Sequence, residues 1–313
     1  GLFNVYNTLA AIGACLQEGI SMEAIDTALK TFSSVPGRFE LIEEGQDFAV
    51  VVDYAHTPDG LQNILETAKA IKEIIENLME RVMHNVLIKD PFIKEKHHSA
   101  KPLYAALVPD EIFKGSHFER RFVTPFGGVW EKLAQVVAIE NHGKCEMGYT
   151  VTGTVGSESL RRIQEVLNKL EHQKGKDKIK PMWSEELAYV KSGGGNPIPV
   201  SVVCDIYVEN TENGKKYAFE LKGPLPNSDQ TKVSKEKIFK LMCMENQPVN
   251  FAYYALPYNP YGKKENYKWA FPLRWFDMQN DEAVLIGNEF WELIGGEGTY
   301  KSFINQVNKL GKE

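Results

Sequence analysis

Three side chains between Val200 and Lys222, in the stretch VSVVCDIYVENTENGKKYAFELK, have types and spacing that could do chemistry together: Asp205, Glu220 and Lys222. Asn213-Gly214 reads as a turn joining two strands. Side chains alternate faces along a strand, so Glu220 and Lys222 point one way and Phe219 and Leu221 the other. On the first strand the same rule puts Val202, Cys204 and Ile206 on one face and Asp205 and Tyr207 on the opposite one. If the strands are neighbours, two acids and an amine converge on one patch. Two adjacent carboxylates favour a hard divalent cation, and Mg²⁺ takes one or two carboxylates with water and phosphate oxygens completing its shell. Such an ion polarises a phosphoryl oxygen and makes a bound water nucleophilic at neutral pH. A lysine beside it can orient that water or stabilise charge developing at phosphorus.

An amphipathic strand often ends in charge, so E-x-K alone is compatible with a plain solvated strand end. The flanking sequence favours chemistry. Gly223-Pro224 ends the strand, and a lysine-rich helix follows with Lys232, Lys235, Lys237 and Lys240. Its inner face is predicted at Val233, Ile238, Leu241 and Met242, with Ser228 or Asp229 as the N-cap. Val249 to Leu256 reads as a further strand. Upstream, Thr124 to Gly128 reads as a loop leading into a helix through Trp130, Leu133, Val136 and Val137, with Glu131 on a flanking face. SESLRRIQEVLNKLEHQ is predicted as a helix capped by Ser157, with Leu160, Ile163, Val166, Leu167 and Leu170 inward. The alternating Lys174, Lys176, Lys178 and Lys180 form a loop that could meet phosphates or simply be solvated.

The pattern D-(x14)-E-x-K on a hairpin resembles the PD-(D/E)xK nucleases, with a cysteine before Asp205 where many members carry proline. The resemblance implies an α/β fold with a mixed central sheet flanked by helices. It implies Asp205, Glu220 and Lys222 as catalytic residues, with Asp205 and Glu220 holding Mg²⁺. It also implies that Glu131 can add a carboxylate from the first helix; a solvated helix glutamate is the equal alternative.

The chain has 313 residues, enough for two domains. With 43% hydrophobic and 25% charged residues it reads as a globular protein without a membrane span or signal peptide, expected in the cytoplasm. The four cysteines lack CxxC spacing, which points to reduced thiols and no zinc site. Net charge is −6. The acidity sits in residues 1–71, with Lys30, Arg38 and Lys69 against ten acids, and the remainder is nearly neutral. Near-neutral bulk charge is compatible with a local basic cleft for DNA.

Residues 1–71 carry G-x-F-N-x-x-N-x-x-A-A, P-G-R-x-E and D-Y-A-H-T-P-D. These motifs resemble the MurE-type Mur ligases. The family's positions around ATP correspond to Asn7, Arg38 and Asp53. No G-x-x-x-x-G-K-[ST] phosphate loop occurs in the sequence, so ligation has no machinery here. The expectation is a ligase fragment retained as a fusion, natural or engineered, with a structural role or none; residual nucleotide binding is the alternative. An apolar stripe at spacings of three and four runs from Leu61 through Ile64, Leu65, Ala68, Ile71, Ile75, Leu78 and Val82 to Val86. It predicts one long helix across the join, with Pro58 in the first turn. The boundary is placed between 1–71 and 72–313 because the ligase resemblance stops there.

Asn259 to Gly262, Phe271 to Asp277, and Gly287 to Tyr300 follow the E-x-K in the order of the TdeIII/MjaII-type restriction endonucleases, which residues 72–313 resemble. That resemblance implies a type II enzyme cutting double-stranded DNA at GGNCC with Mg²⁺. A homodimer would match the palindrome, and a companion DNA methyltransferase is implied. Guanines are commonly read by arginine or lysine; the candidates are Lys263, Lys264, Arg274 and the lysines of the 232–240 helix, Lys232 and Lys235 foremost, with Lys237 and Lys240. The alternative is a DNA-binding protein on the same fold that does not cleave.

Overall fold

The computed structural model describes residues 11–31, 40–42, 50–52, 58–172 and 179–310. Asn7, Arg38, Asp53, Lys174, Lys176 and Lys178 lie outside them. Helices α1 (residues 11–17) and α2 (Met22–Thr31) precede strands β1 (Glu40–Ile42) and β2 (Val50–Val52), which pair antiparallel. Helix α3 (Pro58–His84) runs unbroken across the expected join and continues as a π-turn at Asn85–Lys89. Short helices α4 (Lys94–Ala100) and α5 (Pro102–Leu107) follow. Helix α6 (Asp110–His142) then leads into β3 (Gly143–Gly156).

The rest alternates: α7 (Ser157–Glu171), α8 (Trp183–Lys191), β4 (Pro197–Asn210), β5 (Lys216–Leu221), α9 (Ser228–Cys243) and β6 (Phe251–Leu256). Helix α10 (Ala270–Leu273), β7 (Val284–Ile286), α11 (Asn288–Gly295) and α12 (Thr299–Leu310) complete it. Among the described residues the larger sheet has five strands in the order β3-β4-β5-β6-β7. The first three are antiparallel neighbours, and β6 and β7 add in parallel. This is a mixed α/β sheet covered on both faces. Ile163, Leu167, Ile238, Phe239 and Tyr254 belong to one core, with α7 to α9. Leu78, Val82, Leu133, Phe219, Phe290 and Trp291 belong to the other, with α3, α6 and α11. Parallel strands buried on both faces need this double cover. Every residue of β5 after Lys216 is buried, as a central strand requires.

Local sequence explains most elements. The stripe on α3 buries Ile71, Leu78 and Val82 against α6. The hairpin turns at Asn213-Gly214, with Gly214 at φ +69° and its N–H donated to Asn210 O. The expected loop at 124–128 is instead interior to α6, with Pro125 inside the helix. Proline there forfeits one backbone bond. Phe118, Phe122, Phe126 and Trp130 compensate by packing at i, i+4 along that stretch, with ring centroids 5.7, 5.0 and 5.7 Å apart. Two caps also differ. Asn227, not Ser228 or Asp229, caps α9 by accepting Gln230 N–H at 2.8 Å. Ser157 does not cap α7; its hydroxyl accepts Asn196 N–H. Val233, expected inward, is 52% exposed.

The facing of β4 is the larger correction. Val202, Cys204 and Tyr207 enter the α7–α9 core, whereas Ile206 and Val208 enter the α6 core. Alternation therefore reverses between Cys204 and Tyr207. The register pairs Met147 with Ile206 and Tyr149 with Cys204, which leaves Gly148 across from Asp205. Gly148 takes φ +62°, a conformation open to glycine and costly for other residues. Cys145 before it faces the α6 core and Val151 after it the α7–α9 core. Both strands thus change face at one point, and Asp205 sits on it.

Trp291 anchors the C-terminal cover. It is fully buried, donates Nε1–H to Pro257 O at 2.7 Å and stacks on Phe303. Trp291→Ala is expected to cost about 3–5 kcal/mol of stability, read as a lower urea midpoint; an unchanged midpoint would contradict the placement of α11 and α12.

Candidate nuclease site

The backbone ladder between β4 and β5 ends at Ile206 and Phe219. Beyond that pair β5 continues beside β6, with Lys222 N–H donated to Ala255 O. Leu221 N–H no longer meets a β4 carbonyl; it donates to Asp205 Oδ2 at 2.9 Å. The Asp205 side chain thus satisfies a donor left bare where the strands part, as buried amides require. Lys222 Nζ donates to the same Oδ2 and, at 3.2 Å, to Glu220 Oε2. The three residues singled out from the sequence are joined by one ammonium.

Their exposures differ. Glu220 is 1% exposed, against 22% for the Asp205 side chain and 19% for Lys222. Burial pushes the Glu220 carboxyl above the ordinary carboxylate range, with Lys222 pulling against it and Asp205 adding to it. For Lys222, burial lowers the pKa, but Glu220 and Asp205 outweigh it and hold the ammonium above its usual value. Glu131 on α6 is half-buried, and its carboxyl is raised by that burial, with Asp205 next and Lys222 opposing. The helix acid therefore lies within the field of the hairpin residues.

Whether these residues suit a magnesium ion is a question of donor chemistry. Among the described residues no group of three or more His, Cys, Asp or Glu is arranged as a ready metal cage. The oxygens at the sheet end are hard donors, and the hydrogen bonds described for Asp205 all fall on Oδ2, sparing Oδ1. One or two carboxylates with water and phosphate are what Mg²⁺ uses, whereas zinc prefers histidine and thiolate. The donor set fits magnesium. All four cysteines are free thiols, and burial pushes Cys145 and Cys204 up to about 12.

The basic candidates separate. Lys263 and Arg274 are exposed. Lys232 pairs with Glu171 at 2.5 Å and remains partly exposed. Lys264 is tied to Val284 O at 2.7 Å and to Glu289. Lys235 is 0% exposed, bonded to Glu186 and Trp275 O, and so has no surface with which to meet a duplex. Lys180 pairs with Asp277 at 2.5 Å. Sequence reasoning missed Ser234 and placed Lys237 only among the DNA-facing lysines of its helix; they hydrogen-bond Glu220 at 3.2 and 2.8 Å. Their spacing of three on α9 was the available signal.

Residues 67–311 match the model of the type II restriction endonuclease HinfI family. The chain belongs to this family. Relatives include the type II restriction enzymes HgiBI and HgiEI of Herpetosiphon aurantiacus, each 26% identical. The first alignment covers 71% of this chain and 81% of HgiBI, the second 69% and 79% of HgiEI. These similarities support the restriction-endonuclease relationship broadly rather than the TdeIII/MjaII type in particular. Residues 37–91 match the Mur ligase glutamate ligase domain. A UDP-N-acetylmuramoyl-L-alanyl-D-glutamate–2,6-diaminopimelate ligase from Syntrophomonas wolfei is 61% identical over 71 residues, 23% of this chain and 14% of that ligase. The N-terminal segment is thus Mur-ligase-like and a small part of such an enzyme. Among the described residues no helix is long and apolar enough to cross a membrane.

Lys235→Ala should lower stability by about 3–5 kcal/mol, because it leaves Glu186 without its buried partner. Lys235→Met with Glu186→Leu should recover most of that loss. Normal melting of Lys235→Ala with weakened DNA binding would instead restore the lysine to the list of DNA contacts.

Proposed function

We propose that the chain is a type II restriction endonuclease that hydrolyses phosphodiester bonds of double-stranded DNA with Mg²⁺ at a short palindromic site. The observation that carries this reading is the Lys222 ammonium hydrogen-bonded to both Asp205 and Glu220 where β4 leaves β5, in a chain of the HinfI family. Asp205 and Glu220 would hold the ion, with Glu131 completing the acidic wall from α6. Bound there, magnesium would supply Lewis-acid polarisation and a more acidic water. Lys222 donates hydrogen bonds toward the attacking water and the phosphoryl oxygens, where negative charge grows. Water adds to phosphorus and gives up a proton to solvent, the P–O bond to the leaving sugar oxygen breaks, and that oxygen takes a proton from solvent.

Lys232, Lys263 and Arg274, the exposed or partly exposed cations, are the proposed DNA contacts, with Lys264 close by. GGNCC is the proposed target, carried by the TdeIII/MjaII resemblance of 259–262, 271–277 and 287–300. A palindrome suits a homodimer, because two-fold protein symmetry then matches two-fold DNA symmetry. A protein that cuts such sites needs a companion methyltransferase to protect its own genome, and it would act in the cytoplasm where that DNA lies. Residues 1–71 are proposed as a fused segment with a structural role or none, and 72–313 as the nuclease.

Plasmid bearing GGNCC sites is expected to be cut in Mg²⁺, with sequenced ends mapping to that motif. Asp205→Ala and Lys222→Ala should each lower the rate by roughly 10³-fold with an unchanged circular dichroism spectrum. Full cleavage by both variants would overturn the site, and binding without nicking by the wild type would overturn the activity.

A further inference from the structure

Glu220 is the most enclosed acid of the site, and its two oxygens are held separately. Oε2 accepts from Lys222 Nζ at 3.2 Å and from Ser234 Oγ at 3.2 Å. Oε1 accepts from Lys237 Nζ at 2.8 Å. Ser234 and Lys237 are three residues apart on α9 and so share one side of that helix. The helix is itself pinned: Asn227 caps it, Thr231 Oγ1 lies 3.1 Å from Tyr254 OH, and Lys235 is anchored to Glu186. The Lys237 side chain is 28% exposed, so it links the buried Glu220 to the protein surface.

We infer that Lys237 is a positioning residue for the hydrolytic site. Together with Ser234 it fixes the plane of the Glu220 carboxylate and keeps Oε2 beside Lys222 and Asp205. The inference rests on the nuclease reading above and goes beyond it, since a lysine on this helix would otherwise be counted as a phosphate contact. Side chains that hold a reacting constellation matter because small misplacements are costly: about 1 Å can cost about a hundredfold in rate. Lys237 touches neither water nor phosphate in this assignment; it acts through Glu220.

The test uses the full chain and the variants Lys237→Ala and Lys237→Arg. Lys237→Ala is expected to lower kcat about a hundredfold with KM within about twofold of wild type. Lys237→Arg, which keeps a donor to Oε1, should recover most of that loss. Fluorescence anisotropy with duplex DNA in EDTA should give affinities within about twofold of wild type for both variants, because no phosphate contact is removed. Wild-type kcat in Lys237→Ala, or weakened EDTA binding with kcat unchanged, would overturn the assignment. If the wild-type chain cuts no DNA, the nuclease reading fails, and the pairing is still tested by thermal melting. Lys237→Ala and Glu220→Gln should then shift Tm non-additively when combined, and additive shifts would overturn it.

Discussion

One lysine ammonium held between two acids organises the end of the sheet where β4 leaves β5. Lys222 reaches Asp205 on β4 and Glu220 on its own strand. Burying two like charges a short distance apart is unfavourable, and the cation between them makes the arrangement tolerable. The backbone does the rest. Strand β4 stops pairing with β5 at Ile206, and Asp205 answers the Leu221 N–H that would otherwise be unmet. The same carboxylate therefore closes a backbone vacancy and meets the Lys222 ammonium.

The scaffold feeds this corner from both sides of the sheet. Helix α6 brings Glu131 from the layer that includes α3 and α11, and α9 brings Ser234 and Lys237 from the opposite layer. Phe219 and Leu221 root β5 in the α6 core, while Tyr254 on β6 stacks on Phe276 in the other. Since β5 is buried on both faces, its charged end has little freedom to shift relative to either helix. The buried Lys235–Glu186 pair serves the α9 side, tying the helix to α8 and to the carbonyl of Trp275.

Much of this was legible in the residues. The E-x-K after an alternating apolar run, the Asn-Gly turn and the stripe through Ile71, Leu78 and Val82 each reflect a short-range rule. What escaped depends on partners distant in sequence. The face change at Asp205 needs Gly148, more than fifty positions earlier, to take a positive φ. Pro125 stays inside α6, where four aromatic rings pack along the stretch that spans it. Lys235 reads as a surface cation until Glu186 is placed beside it, and Asn227 wins the α9 cap because Ser228 is occupied by Trp275 Nε1. The N-terminal motifs were recognisable for a different reason. They copy a ligase segment closely, as 61% identity over 71 residues attests, yet α3 carries the chain from that segment into the nuclease core as one helix.

A divalent cation held at the Asp205–Glu220 corner would mark its own ligands. Iron(II)-directed backbone cleavage tests for it most directly: Fe²⁺ exchanged into the magnesium site and driven with ascorbate and peroxide cuts the chain beside its ligands. Fragments ending near residues 205 and 220 are expected, suppressed by excess Mg²⁺ and absent in Asp205→Ala. Cuts elsewhere, or a pattern indifferent to that substitution, would contradict that site.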